Sequence, residues 1–347
     1  MTARVNLKTL SGDDTFRFIR ERGLPRFRAE QLLNWIYQRY VTDIQQITEY
    51  SRDLRNDLSA IAYIGSSELV RRLTSKDGTE KFLFLLEDGE TIESVLIPDE
   101  DRLTLCISSQ VGCAMGCKFC LTGSMGLIRN LDAGEIVDQV LSVNRLIGIA
   151  GATGVGRRVS NIVLMGMGEP LANFDHVVDA LHRITGLIGI SKRRITLSTA
   201  GLVPKIGMLC QQAPEVNLAI SLNATTDAVR NEIMPVNKKY PIKALLDACR
   251  KYPLSPRRMI TVEYVLIGNL NDSLADARRL VNLLRGIRCK INLIPFNPHA
   301  AAGMERPSEK RVLAFQEILT DHDLTALIRV SKGQDILAAC GQLKAAH

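Results

Sequence analysis

From about residue 10 to residue 62 the apolar positions recur at helical spacing, which predicts a set of short helices. Ser11 or Asp13 can cap the first, Gly23-Leu24-Pro25 breaks it, and Ala29 to Tyr40 forms the next; no strand signal occurs here. Near Leu69 the pattern changes to alternation. Asp77-Gly78 and Asp88-Gly89 separate Leu69–Ser75, Lys81–Leu86 and Ile92–Ile97, which predicts hairpin-linked strands forming a bridge between two domains.

After Leu103 short β-branched runs alternate with amphipathic stretches of helix length. Strands are expected at Leu103–Ser108, Asn161–Met165, Arg194–Ser198, Val216–Leu222, Thr261–Ile267 and Ile291–Phe296. Helices are expected at Asp132–Leu146, Phe174–Thr185, Ile242–Lys251 and Ser273–Leu284. This is an α/β chain of repeated βα units around a parallel sheet. Six units fit an incomplete TIM-like barrel, and a doubly wound sheet would show the same alternation. Active sites of both folds gather at the C-terminal ends of the strands. The expected organisation is a helical domain over residues 1–66, the hairpin bridge over 67–100, the barrel over 101–330 and a C-terminal loop over 331–347.

A chain of 347 residues with 46% apolar content can bury a large core. Neither a signal-peptide run at the N-terminus nor an apolar stretch of bilayer length occurs, so a cytoplasmic protein without a membrane role is expected. Lysine and arginine total 44 against 37 acidic residues, and the net charge of +7 suits an anionic partner without singling one out. Part of the excess is local. Arg17, Arg20, Arg22, Arg26, Arg28 and Arg39 face only Glu21 and Glu30, with Phe16, Phe18, Phe27, Trp35 and Tyr37 among them. A helix pair with a solvated face and a nucleic-acid grip both fit that pattern.

Cysteine spacing adds chemistry. Eight cysteines without a secretion signal point to reduced thiols, metal ligation or catalysis. Cys113-Ala-Met-Gly-Cys117-Lys-Phe-Cys120 supplies three thiolates just after the first strand of the βα series. A 4Fe-4S cluster takes one thiolate per iron, so three leave one iron open, whereas a closed zinc site wants four ligands. Cys210, Cys249 and Cys289 lie singly in apolar or helical contexts and read as packing residues. Met165-Gly166-Met167-Gly168-Glu169-Pro170 follows the second strand, and Ser198, Ser221, Asn223 and Asn297 end later ones. Such positions suit a nucleotide-like ligand as well as simple turns and helix caps.

The C-x3-C-x2-C spacing, with Phe119 before its last cysteine, resembles the cluster motif of the radical S-adenosylmethionine (SAM) superfamily. In that superfamily the open iron binds the amino and carboxylate groups of SAM, whose cleavage yields a 5′-deoxyadenosyl radical. Longer motifs narrow the resemblance: Leu105-Cys106 to Cys113, Met165 to Pro170, Ser191 to Thr199, Asn237-Lys238-Lys239-Tyr240, Lys290 to Pro298 and Ala339-Cys340-Gly341-Gln342-Leu343. Together they are similar to the adenine C2 methyltransferases of 23S rRNA and tRNA known as RlmN, with the C8-methylating Cfr enzymes as relatives.

The resemblance covers nearly the whole chain. It implies a radical SAM partial barrel in which Cys113, Cys117 and Cys120 hold the cluster. Gly168, Glu169, Ser198, Ser221, Leu222, Asn223 and Asn297 would bind SAM, Cys340 would carry the methyl group, Cys106 would resolve it, and Glu93 would be a candidate base. At Asn223 relatives often carry histidine. Glu169-Pro170 and Asn237 to Tyr240 look more like the C2 enzymes than the C8 enzymes. The same resemblance implies two SAM molecules per turnover, 23S rRNA and tRNA as partners, a reducing system such as flavodoxin, a transient disulfide and a monomer. Competing readings are a Cfr-type C8 enzyme, a radical SAM enzyme on a small molecule or peptide, and a non-catalytic iron-sulfur RNA-binding protein.

Adenine C2 is electron-poor and has no lone pair, so it cannot attack a sulfonium methyl group directly. A thiolate can, and Cys340 fits that task. Glycines flanking Cys340 suggest a mobile loop. Anaerobically prepared protein is expected to be brown with one 4Fe-4S cluster per chain. Changing Cys113, Cys117 or Cys120 to Ala should abolish SAM cleavage, followed as release of 5′-deoxyadenosine.

Overall fold

The computed structural model describes residues 4–148, 158–299 and 303–344. Strands β1 (Val5–Asn6) and β2 (Ala62–Tyr63) pair in parallel and tie together the ends of the helical region. Between them lie α1 (Gly12–Arg20), α2 (Arg26–Tyr37) and α3 (Arg52–Ile61). Ser11, not Asp13, caps α1, accepting a hydrogen bond from the Asp14 amide at 3.1 Å. The paired ends, each two residues long, gave no strand signal because alternation cannot show over so short a run.

β3 (Glu68–Thr74), β4 (Glu80–Leu85) and β5 (Thr91–Asp99) pair antiparallel as the Asp-Gly turns require. They do not stand apart as a bridge. β5 pairs antiparallel with β6 (Arg102–Cys106), placing Val95 opposite Cys106, so the hairpins extend the barrel's own sheet.

A short unexpected hairpin, β7 (Gln110–Cys113) with β8 (Gly126–Asn130), follows β6 and frames the cysteine loop and the one-turn α4 (Leu121–Ser124). Then come α5 (Ala133–Leu146), β9 (Asn161–Leu164), α6 (Phe174–Arg183), β10 (Ile195–Thr199), α7 (Val203–Gln212) and β11 (Asn217–Ser221). The chain continues through α8 (Asp227–Ile233), α9 (Ile242–Lys251), β12 (Ile260–Leu266), α10 (Leu274–Leu283), β13 (Cys289–Pro295), α11 (Glu309–Thr320) and β14 (Ala326–Ile328).

The ten-stranded sheet runs β14-β13-β12-β11-β10-β9-β6-β5-β4-β3. Its seven parallel strands stand in sequence order with no reversal. A doubly wound sheet reverses at a switch point, so uniform succession decides for a partial barrel with helices on one face. Six of those strands lie within a residue or two of their expected positions. β14 adds a seventh, too short at three residues to show a period.

One continuous apolar core joins the helical region to the barrel: Ile36 of α2 and Val140 of α5 belong to the same buried cluster. A buried ion pair also crosses this junction. The Lys8 ammonium meets Asp138, with side chains 4% and 3% exposed, and Asp138 also accepts from the Ser67 amide at 2.7 Å. Removing one partner strands a buried charge, which costs about 3–5 kcal/mol. Asp138→Ala should therefore lower stability by about that amount in urea unfolding, and Lys8→Met combined with Asp138→Leu should recover most of the loss.

Candidate active site

A cavity of about 980 Å³, counting its open mouth, lies over the C-terminal ends of the parallel strands. Cys113, Cys117 and Cys120 all line it. They share this wall without converging on one point, and among the described residues no three metal-binding side chains group closely enough to hold a single ion. Three separated thiols round a common space suit a cluster with one cysteine per iron. Burial pushes the Cys113 thiol up to about 12 and raises Cys117 as well. Positively charged iron would hold them as thiolates, so the donor set fits the expected group.

Gly166, Gly168 and Glu169 of the loop after β9 also line the cavity. Gly168 has φ +101°, and a Cβ there would sit 2.6 Å from Gln110 Cβ. Glycine is thus required by close packing of the loop on the β6–β7 segment, as well as by any ligand. Glu169 Oε1 accepts from Leu171 N at 3.0 Å and Oε2 from Ala200 N at 2.7 Å. Burial raises its pKa while these N–H groups and the Thr199 hydroxyl oppose the rise. An ammonium group arriving in the cavity would find this carboxylate already oriented.

Ser198 and Ser221 end β10 and β11 on the same cavity. Asn223 also lines it, but its side chain is engaged: Oδ1 accepts from Val265 N at 2.8 Å and Nδ2 reaches Met234 Sδ at 3.2 Å. Leu222 is fully buried and outside the lining; its carbonyl accepts from Arg230 Nε at 2.9 Å. Asn297 Nδ2 donates to the Cys340 carbonyl at 3.3 Å, linking the strand-end wall to the C-terminal segment.

That segment is docked along its length. Ser75 Oγ donates to Asp335 Oδ1 at 2.6 Å, Gly333 N to Asp77 Oδ2 at 3.0 Å, and Lys81 Nζ to the Leu337 carbonyl at 3.2 Å. Leu121 N donates to the Gly341 carbonyl at 2.8 Å, and Thr122 Oγ1 to the Leu343 carbonyl at 2.6 Å. The chain so closely crosses the cysteine loop that a Cβ at Gly341, φ +82°, would lie 2.9 Å from the Phe119 carbonyl oxygen. The expected mobile loop is here a strap held by the hairpin on one side and the cysteine loop on the other.

Cys340 therefore joins the cavity wall. Cys106 lies buried at the end of β6, outside the lining, where burial first and the Cys340 charge second raise its pKa. The two sulfurs are close enough to feel each other. Both are free thiols, as are all eight cysteines, so the expected disulfide is not formed in this state. Glu93 stands apart from the cavity: Oε1 pairs with Lys81 Nζ at 3.0 Å and Oε2 accepts from Lys344 N at 2.9 Å.

Residues 5–64 match the family model described as ribosomal RNA large subunit methyltransferase N-terminal domain, and residues 107–281 match the radical SAM superfamily. A protein of Pelobacter propionicus named dual-specificity RNA methyltransferase RlmN is 50% identical, across 99% of this chain and 97% of that one. One of the same name from Geobacter sulfurreducens is 51% identical, across 99% and 93%. The chain belongs to the RlmN family. A radical SAM methyltransferase from Sphaerobacter thermophilus shares the fold with a TM-score of 0.92 at 43% identity, covering 99% of this chain and 100% of that chain.

As an RlmN protein it is a SAM-dependent RNA methyltransferase of the radical SAM type, with a cysteine-ligated 4Fe-4S cluster. Two residues of this RlmN site were missed in the sequence. Glu263, on β12, lines the cavity and is buried; its place inside the apolar run Thr261 to Ile267 was a usable signal. Arg230, on the short helix α8, is fully buried and left no periodic trace.

Cys340 is exposed as a residue, yet the atoms packed round its sulfur desolvate it and push the thiol up to about 11, with Glu263 adding to the rise. At neutral pH the thiolate is then scarce and grows about tenfold per pH unit. Alkylation of Cys340, followed by mass of its peptide, should accelerate about tenfold from pH 7 to 8. A flat profile would show that a base in the site removes the proton.

Proposed function

We propose that this enzyme methylates C2 of an adenine in 23S rRNA and in tRNA, with Cys340 carrying the methyl group and Cys106 releasing the product. What carries this reading is the placing of two further thiols beside three that fit a cluster: Cys340 in the cavity wall and Cys106 within electrostatic reach of it.

Cys340 Sγ attacks the methyl carbon of a first SAM, forming an S–CH3 bond and releasing S-adenosylhomocysteine. Cys113, Cys117 and Cys120 would hold the cluster, which with a second SAM in the cavity would supply the radical chemistry by which the Cys340 methyl group gives up one hydrogen. The remaining methylene carbon bonds to C2, so Cys340 and the base share a thioether, and the one unpaired electron left on the base would return to the cluster that gave it. Once C2 has lost its proton, Cys106 as thiolate attacks Cys340 Sγ, and the sulfur–carbon bonding pair leaves with the methylene carbon, which takes up a proton to become the methyl group; the resulting disulfide then needs an external reductant. Glu93, the candidate base, lies outside the cavity, so both its ion pair with Lys81 and its bond to Lys344 N must open before it can take the C2 proton.

Exposed Arg17, Arg20 and Arg26 with half-exposed Phe27 supply an RNA grip on the helical domain, joined by exposed Lys192, Arg193, Arg194, Lys238 and Lys239. Phe18, Trp35 and Tyr37 do not take part, being buried in that domain's core. Phosphate contact through these side chains makes RNA affinity fall with salt. The enzyme works as a monomer in the cytoplasm, with a small electron carrier such as flavodoxin. No helix among the described residues is long and apolar enough to cross a membrane.

Mass spectrometry of rRNA and tRNA nucleosides from a deletion strain should show loss of 2-methyladenosine; loss of 8-methyladenosine instead would overturn the C2 assignment. Cys106→Ala protein should load a methyl group on Cys340 and cleave SAM, yet stall with RNA attached. The adduct should survive denaturation and shrink on ribonuclease digestion to a nucleotide on the Cys340 peptide. Cys340→Ala should form no adduct, and continued methylation by it would refute the carrier role.

A further inference from the structure

Arg230 is fully buried, and each hydrogen bond it makes goes to a neutral oxygen. Nε donates to the Leu222 carbonyl at 2.9 Å and Nη1 to Asn237 Oδ1 at 2.9 Å. Nη2 reaches the Ala200 carbonyl at 2.7 Å and the Ser221 carbonyl at 3.0 Å. A buried cation without a directly bonded carboxylate is costly, and such groups persist where another negative charge compensates them.

The surroundings set the cysteine loop beside it. The end of α8 is hydrogen-bonded to the cysteine loop, Lys118 N donating to the Ile233 carbonyl at 3.0 Å. Met234 and Val236 just beyond pack in one apolar cluster with Met115, Cys117 and Phe119. Burial lowers its pKa to about 10 and leaves it charged at neutral pH; Cys117 on the cysteine loop and Asp227, which accepts from Asn237 Nδ2 at 2.9 Å, are the acidic neighbours that support that charge.

We propose that Arg230 is a positioning residue whose fixed charge makes the cluster easier to reduce. A cluster on three thiolates becomes more negative by one unit when it takes up an electron. A nearby cation shielded from solvent stabilises the more negative state more strongly, and little salt screening reaches it. The same guanidinium binds carbonyls at the ends of β10 and β11, so charge and cavity geometry are set by one side chain. The inference rests on Cys113, Cys117 and Cys120 holding the cluster. Failure of that assignment would show separately, as undiminished iron content in Cys117→Ala protein.

The test is an anaerobic redox titration of full-length, cluster-loaded enzyme, read by electron paramagnetic resonance, with iron and sulfide content and thermal melting measured alongside. Arg230→Gln should shift the midpoint to a more negative potential. At the wild-type midpoint its ratio of reduced to oxidised cluster should fall about tenfold, which is about 59 mV for a one-electron couple. Arg230→Lys, which keeps the charge and loses the fork, should stay near the wild-type value. Asn237→Asp retains Arg230 and sets a carboxylate against it, so its midpoint should also fall, and it decides the question if Arg230→Gln does not load a cluster. A wild-type midpoint in a loaded Arg230→Gln or Asn237→Asp protein would overturn the proposal and leave Arg230 as a clamp on the strand ends.

Discussion

Hydrogen bonds between β5 and β6 pair Val95 with Cys106 and Leu96 with Leu105, and this antiparallel seam makes the hairpins and the barrel a single sheet. The seam carries the turn at Ser75–Thr79, together with Lys81 and Glu93, to the place where the C-terminal strap crosses the cavity. From there Ser75, Asp77, Lys81 and Glu93 each bind the strap. Were the hairpins a flexible bridge, the strap would lose one of its anchors. The others are the cysteine loop, through Leu121 and Thr122, and the segment after β13, through Asn297 and Pro298. Cys340 and the three-cysteine loop are thus positioned by the same stretch of chain.

Buried polar groups do much of the remaining positioning. Glu169 is held by backbone N–H groups from two loops, Asn223 by the C-terminal end of β12, and the strand-end carbonyls of Ala200, Ser221 and Leu222 by Arg230. In a water-poor interior each such group must find a partner, and those pairings leave few alternative arrangements of the loops. The cavity is therefore shaped before any ligand arrives, which lowers the ordering cost of binding one. Burial has the opposite effect on the thiols. It makes Cys106, Cys113, Cys117 and Cys340 poorer thiolates, and their reactivity then depends on positive charge supplied by iron, sulfonium or guanidinium.

Periodicity and motif order determined the βα series, six of its strands, and the three-thiol donor set, because strand alternation, helical spacing and local ligand spacing are properties of neighbouring residues. Resemblance to the RlmN family rested on the same kind of local signal. Very short elements were not legible: β1, β2 and β14 span two or three residues, too few to establish a period. Tertiary structure alone decided that the sheet is a barrel and not doubly wound, since strand order depends on which edge each returning strand meets. It alone joined the hairpins to that sheet, docked the C-terminal strap, separated Leu222 and Glu93 from the cavity, and enclosed Arg230 and Glu263. Those facts arise from contacts between residues tens to hundreds of positions apart, as between Ser75 and Asp335. No window of sequence contains both partners of such a contact, so only the folded chain can record it.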